Sequence, residues 1–414
     1  MKVLFLTIGC MESIEDHDLY PDLLRCFRDN GHDVYTVSPY EKRTGLMTQL
    51  IEDHGVTMLH VAIGNITKCG MIEKGISTLQ IESKFLSAIK CYFSDVKFDL
   101  VIYSTPPITF AKVIQYVKKR DGAESYLLLK DIFPQNAVDL GVIRKTGFKA
   151  LLYKYFRRKE KNLYTISDHI GCMSPANVDY VVTHNPEIAE CKVGVCPNSA
   201  EERDIFLTTE ERASMRAKYG IPADKTVFVY GGNLGRPQGI PFVIECLKTQ
   251  ACNDRVFFLI VGDGTEYGKL ASYIAETKPQ NVKLMQRLDR DDYDRVVAAC
   301  DVGMIFLDYR FTIPNFPSRL LGYMQAGLPV LACTDPNTDL GQVIIDGDFG
   351  WWCESNNTES FNKIVNTICN FPVLAEAKGG RSRIYYKSHY TSIMAYGKII
   401  NDLTEVRKCD EWIC

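Results

Sequence analysis

No stretch of this sequence reaches the about eighteen continuous apolar residues that a membrane-spanning helix needs, so none is expected. No excess of charge of either sign is present either. The net charge is −3 over 414 residues, which gives no global pull toward nucleic acid. There is no G-x-G-x-x-G after the first strand and no Gly-Lys-Ser/Thr after any glycine run, which argues against a dinucleotide fingerprint and a Walker A loop. There is no zinc-type cysteine spacing: Cys191 and Cys196, and Cys409 and Cys414, are too far apart and too isolated. Fifteen cysteines, an odd number, are scattered from Cys10 to Cys414, many inside apolar runs such as those of Cys172, Cys246 and Cys300. Reduced, buried thiols in a cytoplasmic protein fit this better than a disulfide framework. The opening stretch MKVLFLTIGCMES has one basic residue and a short apolar run, then Glu12, Glu15, Asp16 and Asp18. It reads as a first β-strand rather than a signal peptide.

What is present is alternation, in a chain long enough for two domains. Val3–Ile8, Val34–Val37, Met58–Ile63, Leu100–Ser104, Ser125–Leu129, Ile170–Ser174 and Val193–Val195 are strand-like, with helical patterns at Asp18–Asn30 and Ile108–Lys119. Strand and helix repeated this way predict a doubly wound parallel sheet, which binds ligands at the carboxyl ends of its strands. Three loops fall there: Gly9-Cys10, Ser104-Thr105 and Lys130-Asp131. Gly9 would let backbone approach a ligand. Asp131 is either an acid, base or sugar-hydroxyl ligand, or a loop carboxylate capping Gln135–Leu140.

Arg144 to Lys161 holds eight basic residues and one acid, Glu160, with Phe148, Leu151, Leu152, Tyr155 and Phe156 at helical spacing. A basic amphipathic helix of this kind reads as a surface for anionic lipid, with Lys149, Lys154, Arg157 and Arg158 as docking cations. The competing reading is a core-facing helix with a solvated basic back.

Around Val195 to Phe206 the pattern breaks at a linker, then restarts after a helix at Glu210–Tyr219. Strands are expected at Val227–Tyr230, Val256–Val261, Val282–Met285, Val302–Phe306, Val330–Ala332 and near Trp351-Trp352. The first is followed by Gly231-Gly232-Asn233-Leu234-Gly235-Arg236-Pro237-Gln238-Gly239, where backbone N–H groups and Arg236 suit a phosphate. Gly262-Asp263-Gly264 is a second glycine loop or only a tight turn. Arg287-Leu288 ends the third strand, where backbone groups could meet a base. The acids of Asp289-Arg290-Asp291-Asp292 are expected to cap a helix rather than bind metal. Ile313 to Ala332, IPNFPSRLLGYMQAGLPVLA, reads as loop, helix, tight turn and buried strand, with Ser318 as N-cap and Arg319 at the helix start. That is an anion site in waiting, or a crossover whose arginine is merely solvated. Arg381–Val406 continues as one long helical pattern.

These motifs together resemble a GT-B nucleotide-sugar glycosyltransferase. They are similar to glycosyltransferase family 4, particularly bacterial transferases of capsule and O-antigen assembly. The resembling residues are Leu129–Val142, Gly171–Tyr180, Cys196-Pro197-Asn198, Tyr230–Gly239, Ile260–Gly264, Val282–Asp301 and the opening stretch, in the family's order along most of the chain. The resemblance implies two doubly wound Rossmann-like domains facing a cleft. They would be an acceptor domain at 1–197, a donor domain at 198–387 and a terminal helix at about 388–414 packing back on the first. It implies a retaining, metal-independent hexosyltransferase that needs no cofactor. The partners would be a nucleotide sugar, UDP-linked, a lipid-linked or saccharide acceptor and an anionic membrane surface, with no nucleic acid. The protein would be cytoplasmic and peripheral at the inner membrane face. Carried over, Gly232, Asn233, Arg236 and Gln238 form the phosphate loop and Arg287-Leu288 meets the base. Asn315 and Phe316 underlie the donor sugar, Ser318-Arg319 lies near the diphosphate, and Gly9, Cys10, Ser104 and Thr105 line the acceptor side. Asp131, Arg236 and Arg319 are the expected catalytic set.

The sequence departs from the family where two glutamates are common: it has Pro314 and Gly322 instead. Gln238 replaces a common basic residue, and Asp131 stands where a histidine is common. Two other readings therefore stand beside transfer: a nucleotide-sugar 2-epimerase, and a GT-B scaffold that binds donor without turnover.

Overall fold

The computed structural model describes residues 1–147 and 150–411, the side chains of 71, 72 and 406–411 excepted. The chain divides into two compact units, Met1–Glu201 with Ser392–Cys414, and Glu202–Thr391. The break in the chain's pattern around Val195 to Phe206 thus contains one of the two crossings between them.

The first unit begins β1 (Lys2–Leu6), α1 (Leu19–Asp29), β2 (Asp33–Glu41), β3 (Gln49–Asp53), β4 (Val56–Ile63) and α2 (Met71–Tyr92). It continues β5 (Leu100–Ser104), α3 (Ala111–Asp121), β6 (Glu124–Leu129), α4 (Gln135–Asp139), α5 (Ala150–Ile166), β7 (His169–Cys172), α6 (Pro175–His184) and β8 (Val193–Val195). The strand order is β3-β4-β2-β1-β5-β6-β7-β8. Only the β3–β4 pairing is antiparallel among those described. Asp18 starts α1 by accepting the Leu19 N–H at 2.8 Å. All five residues of β5 are buried, as expected of a strand covered on both faces.

The second unit holds α7 (Thr209–Lys218), β9 (Thr226–Asn233), α8 (Ile240–Thr249), β10 (Val256–Asp263), α9 (Tyr267–Thr277), β11 (Val282–Met285) and α10 (Arg290–Ala298). Then come β12 (Val302–Phe306), α11 (Arg319–Gln325), β13 (Val330–Thr334), α12 (Leu340–Asp346), β14 (Gly350–Glu354), α13 (Thr358–Asn370) and α14 (Pro372–His389). Its six parallel strands run β11-β10-β9-β12-β13-β14, so the chain reverses direction across the sheet at β9. The loop after β9 therefore sits at the switch point, where such sheets hold ligands.

Two expectations about elements are corrected. The strand β3 has no apolar run, and it was not foreseen; nor was the helix α2, although its buried Ile81, Phe85, Ala88 and Ile89 recur at helical spacing. The single helix expected over Arg381–Val406 is two, α14 and α15 (Ser392–Glu411). At the break the Ser392 N–H bonds the Ala200 carbonyl at 3.0 Å, where a continuous helix would use the residue four earlier. α15 belongs to the first unit. There Tyr396 packs edge-on to Phe27 at 4.9 Å, and Asp402 accepts the Tyr126 hydroxyl at 2.7 Å.

Candidate active site

In the second unit, β9 and β10 pair residue by residue out to Asn233 opposite Asp263. The two glycine loops thus lie side by side, with Gly262-Asp263 the last residues of β10. Gly231 is required by packing, since a Cβ there would stand 1.7 Å from the Tyr293 hydroxyl. Gly232 is required by conformation, at φ +117°. Beyond it the loop is fixed from inside. The Tyr230 hydroxyl donates to the Asn233 carbonyl at 2.8 Å. The Gln238 side-chain oxygen accepts the Gly235 N–H at 3.0 Å and the Asn233 amide at 3.3 Å. Gln238 and the Asn233 side chain, expected as donor ligands, therefore shape the loop in this structure.

Arg319 lies beneath that loop. Its guanidinium carbon sits 4.3 Å from the centre of the Tyr230 ring and 3.7 Å from where a Gly232 Cβ would be. Among the described residues no carboxylate comes within ion-pair distance, and Nη1 is shut off from solvent with no hydrogen-bond partner. The phenols around it are neutral. Burial pushes Tyr230 and Tyr323 up, and Tyr293 up to about 12. Tyr323 also accepts the Gly231 N–H at 3.1 Å and donates to the Met304 carbonyl at 3.1 Å. The result is a fixed, uncompensated cation under a glycine loop, the arrangement of an anion site. The tyrosines were missed as site residues. Their one signal was the spacing of Arg319 and Tyr323, four apart and so on one helical face.

The helix-start reading of this anion site is corrected. α11 has only seven residues. Ser318 takes its N-cap position without a side-chain bond, at φ −63° and ψ −20°. The N–H groups of Leu320 and Leu321 bond to the Pro317 and Ser318 carbonyls. The guanidinium, not the helix end, is the feature that can hold an anion.

The other residues expected on the donor side are placed as follows. The Arg236 side chain is exposed, with Glu266 at 3.9 Å. Arg287 is exposed and Leu288 half-buried, just past the end of β11. The Asn315 carbonyl accepts the Thr338 hydroxyl at 2.6 Å, and Phe316 is buried with its ring 6.0 Å from that of Tyr390. The acids after β11 do not cap α10 through side chains. Asp289 makes no cap bond, while Asp292 accepts from Lys218 at 3.0 Å and from the Tyr219 hydroxyl at 2.7 Å.

In the first unit, Gly9 bonds the Thr7 hydroxyl through its N–H, and Cys10 is exposed with its thiol pushed up by partial burial and by Glu12, Asp16 and Glu41. Ser104 and Thr105 are buried. The Thr105 hydroxyl accepts the N–H groups of Lys130 and Asp131 at 3.1 and 3.3 Å and donates to the Asp131 carbonyl at 3.2 Å, which pins the loop after β6. Burial raises the Asp131 carboxyl from 3.8 to about 6, although Asn136 donates to it at 2.7 Å. That places its titration near neutral pH.

On α5 the buried face is Glu160, Leu163 and Tyr164, while Leu151, Leu152 and Tyr155 are exposed beside Lys154 and Arg158. Arg157 is not a free docking cation: it bonds Glu160 at 2.6 Å, the Asn185 side chain at 2.7 Å and the His184 carbonyl at 2.8 Å. Phe148 and Lys149 lie outside the described residues. The one candidate metal cluster among the described residues is His17, Asp22 and Glu201. The Arg25 guanidinium already donates to Asp22 and to Glu201, each at 2.5 Å, so a cation is already in place there.

Residues 211–380 match the family model of glycosyl transferases group 1. Over 330 residues the chain is 24% identical to the probable glycosyltransferase WbjE of Pseudomonas aeruginosa, covering 79% of each. Over 248 residues it is 22% identical to the putative colanic acid biosynthesis glycosyl transferase WcaI of Escherichia coli, covering 59% of this chain and 60% of that one. Among solved structures it resembles HepE of Anabaena in complex with UDP-glucose, with a TM-score of 0.71, 14% of residues identical, and 98% of this chain and 100% of that one covered.

Proposed function

We propose that this chain, which carries a glycosyl transferases group 1 domain at residues 211–380 on a GT-B fold, is a glycosyltransferase that moves a sugar from a nucleotide diphosphate, UDP foremost, to a lipid-linked or saccharide acceptor in cell-surface polysaccharide synthesis. The observation that carries this reading is Arg319, a cation with a buried, unpartnered N–H under a glycine loop at the switch point of the donor sheet. A diphosphate would complete it. The UDP-glucose held by HepE and the colanic acid role in WcaI's name support the choice of donor and pathway class.

Chemically, the bond to break joins the anomeric carbon to the β-phosphate oxygen. Charge develops on the departing diphosphate, and Arg319 and Arg236 neutralise it without needing a metal ion. Gly232 leaves room for the phosphate to approach the guanidinium. Asp131, titrating near pH 6, orients the acceptor hydroxyl. With leaving-group stabilisation and positioning as the main contributions, transfer proceeds with retention and no fixed nucleophile. The exposed Lys154, Arg158, Leu151, Leu152 and Tyr155 of α5 bring the enzyme to anionic lipid at the cytoplasmic membrane face.

The test is a thermal-shift panel of nucleotides and UDP- and GDP-sugars on the wild type, Arg319→Ala and Arg236→Ala. A ligand that binds only the folded state raises the melting temperature by mass action. One nucleotide sugar should raise it in the wild type and fail to do so in Arg319→Ala. A well-folded wild type that responds to none of them overturns the donor site. The anomer formed, read by NMR, and activity in excess chelator then test retention and metal independence.

A further inference from the structure

In the first unit Lys130 is a cation with no carboxylate partner among the described residues. Lys130 is the first residue after β6, at the carboxyl edge of the sheet. Its side chain is half-buried, and its one hydrogen bond is a long one, 3.4 Å to the Cys196 carbonyl. Among the described residues no carboxylate lies within ion-pair distance of its ammonium. Four partly or wholly buried cations of this unit are paired: Arg25 with Asp22, Lys118 with Asp168, Arg120 with Asp121 and Arg157 with Glu160. Lys84 and Lys192, like Lys130, reach only a carbonyl, of Ala62 at 3.2 Å and Ser167 at 3.4 Å, but neither lies at the carboxyl edge of the sheet. The titratable groups that interact with Lys130 offer no anion, since burial pushes the thiols of Cys172, up to about 12, and Cys196 toward their neutral form. Burial correspondingly pulls the ammonium below its ordinary range.

Position adds to this. Leu129, Cys172 and Val195 are in register across β6, β7 and β8, so Lys130, Met173 and Cys196 are the next residues out on three neighbouring strands. Ligands of parallel sheets bind at this edge. The backbone carrying Lys130 is clamped by the Thr105 hydroxyl through two N–H groups and a carbonyl, so the lysine projects from a rigid base. A half-buried ammonium gains by pairing, and a phosphate, bound as by a point charge, would pair it.

We propose that the carboxyl edge of β6–β8 is an anion subsite, with Lys130 its cation, and that it takes a phosphate group of the acceptor. The anion subsite stands on the geometry alone; its assignment to the acceptor rests on the transferase reading above. Phosphate is common to a polyprenyl-phosphate-linked saccharide and to a soluble sugar phosphate, and the experiment separates the two.

The experiment uses the full chain in an Arg319→Ala background, which silences the donor cation. Pyrophosphate is titrated by thermal shift against this variant alone and with Lys130→Met or Lys130→Arg added. The expected result is binding in Arg319→Ala, weakened about ten-fold or more by Lys130→Met, as for loss of one charge-assisted contact, and largely restored by Lys130→Arg. No pyrophosphate shift in the Arg319→Ala background overturns the subsite. A wild type that binds pyrophosphate but not UDP sinks the donor reading and leaves this one standing. If Lys130→Met abolishes UDP binding in the otherwise wild-type chain, the lysine serves the donor and the acceptor assignment falls. Acetylation of Lys130 by an N-hydroxysuccinimide ester, read by mass spectrometry in the Arg319→Ala chain, needs no substitution at Lys130. Pyrophosphate should protect it, and absence of protection counts against the proposal. Protection by geranyl phosphate in detergent at lower concentration than by glucose 1-phosphate assigns the site to a lipid-linked acceptor, and the reverse order assigns it to a soluble sugar phosphate.

Discussion

Arg319→Met separates a ligand-binding arginine from a structural one, because the two roles predict opposite effects on the unliganded protein. Methionine keeps an unbranched stem over Tyr230 and removes the charge. What is lost in the unliganded state is the cation–π contact at 4.3 Å, about 0.5–2 kcal/mol. What is relieved is a guanidinium with a buried N–H that nothing accepts, a cost of about 1–3 kcal/mol. The two nearly cancel, so the unliganded melting temperature should hold or rise by about 2–4 °C, the equivalent of about 1 kcal/mol in a domain of this size. Ligand binding should behave differently. Removing a guanidinium that makes charge-assisted bonds to a diphosphate costs about 3 kcal/mol, or about a hundred-fold in the dissociation constant. Scanning fluorimetry without ligand and calorimetric titration with UDP read the two effects separately. A drop of about 5 °C or more in the unliganded protein, with UDP affinity unchanged, would refute the reasoning and make Arg319 a structural residue.

Asp131→Asn should be more stable than the wild type at neutral pH. The folded carboxyl titrates at about 6 against 3.8 when unperturbed, so the folded chain holds more proton between those values and loses stability as pH rises through them. The gain reaches up to about 3 kcal/mol at pH 7 and vanishes near pH 3, in urea melts at the two pH values; equal stability at both would contradict the burial of this group. The same variant should lose the limb of the pH–rate profile near pH 6. The adjacent helical glycines of α14 should diverge: Gly380 faces open space, so Gly380→Ala should stabilise by about 0.5–1 kcal/mol. Gly379→Ala should destabilise by about 1–3 kcal/mol, since its Cβ would come within 2.2 Å of the Gly327 carbonyl. On α5, Arg157→Ala should cost about 3 kcal/mol by stranding the buried Glu160. Lys154→Ala with Arg158→Ala should leave the melting temperature alone and weaken sedimentation with anionic vesicles. An unchanged vesicle affinity would remove the membrane role of this helix.

The sheets were legible because parallel strands buried on both faces are nearly unbroken apolar runs: Leu100–Ser104 and Val302–Phe306 appear in the structure with the bounds the sequence suggests, as does the half-buried edge strand Val282–Met285. β3 was not, because Gln49–Asp53 is a half-exposed edge strand whose partner, not its composition, makes it a strand. In the donor loop the sequence marks which residues belong but not what each does. Gln238 and Arg236 look alike as polar loop residues. The amide turns inward to hold Gly235, and the guanidinium stays in solvent. The tyrosines around Arg319 were invisible for a related reason. Tyr230, Tyr293 and Tyr323 come from a strand and two helices, and an aromatic in such an element reads as core until the cation beside it is seen. Lys130 was passed over because nothing in a sequence tells that a lysine lacks a counter-ion.

The chain enters the second unit at Glu202 and leaves it at Thr391, so that unit is an uninterrupted segment inserted into the first, which closes only with α15. During synthesis the second unit is complete while the first still lacks Ile399 and Leu403, which sit in its core beside Leu24 and Phe27. A ribosome that stops before α15 would therefore release a chain with a finished second unit and an open apolar seam on the first. Such a product would be a target for chaperones and proteases. For the same reason, deletions and fusions that interrupt α15 are expected to damage the half of the protein farthest from them in sequence.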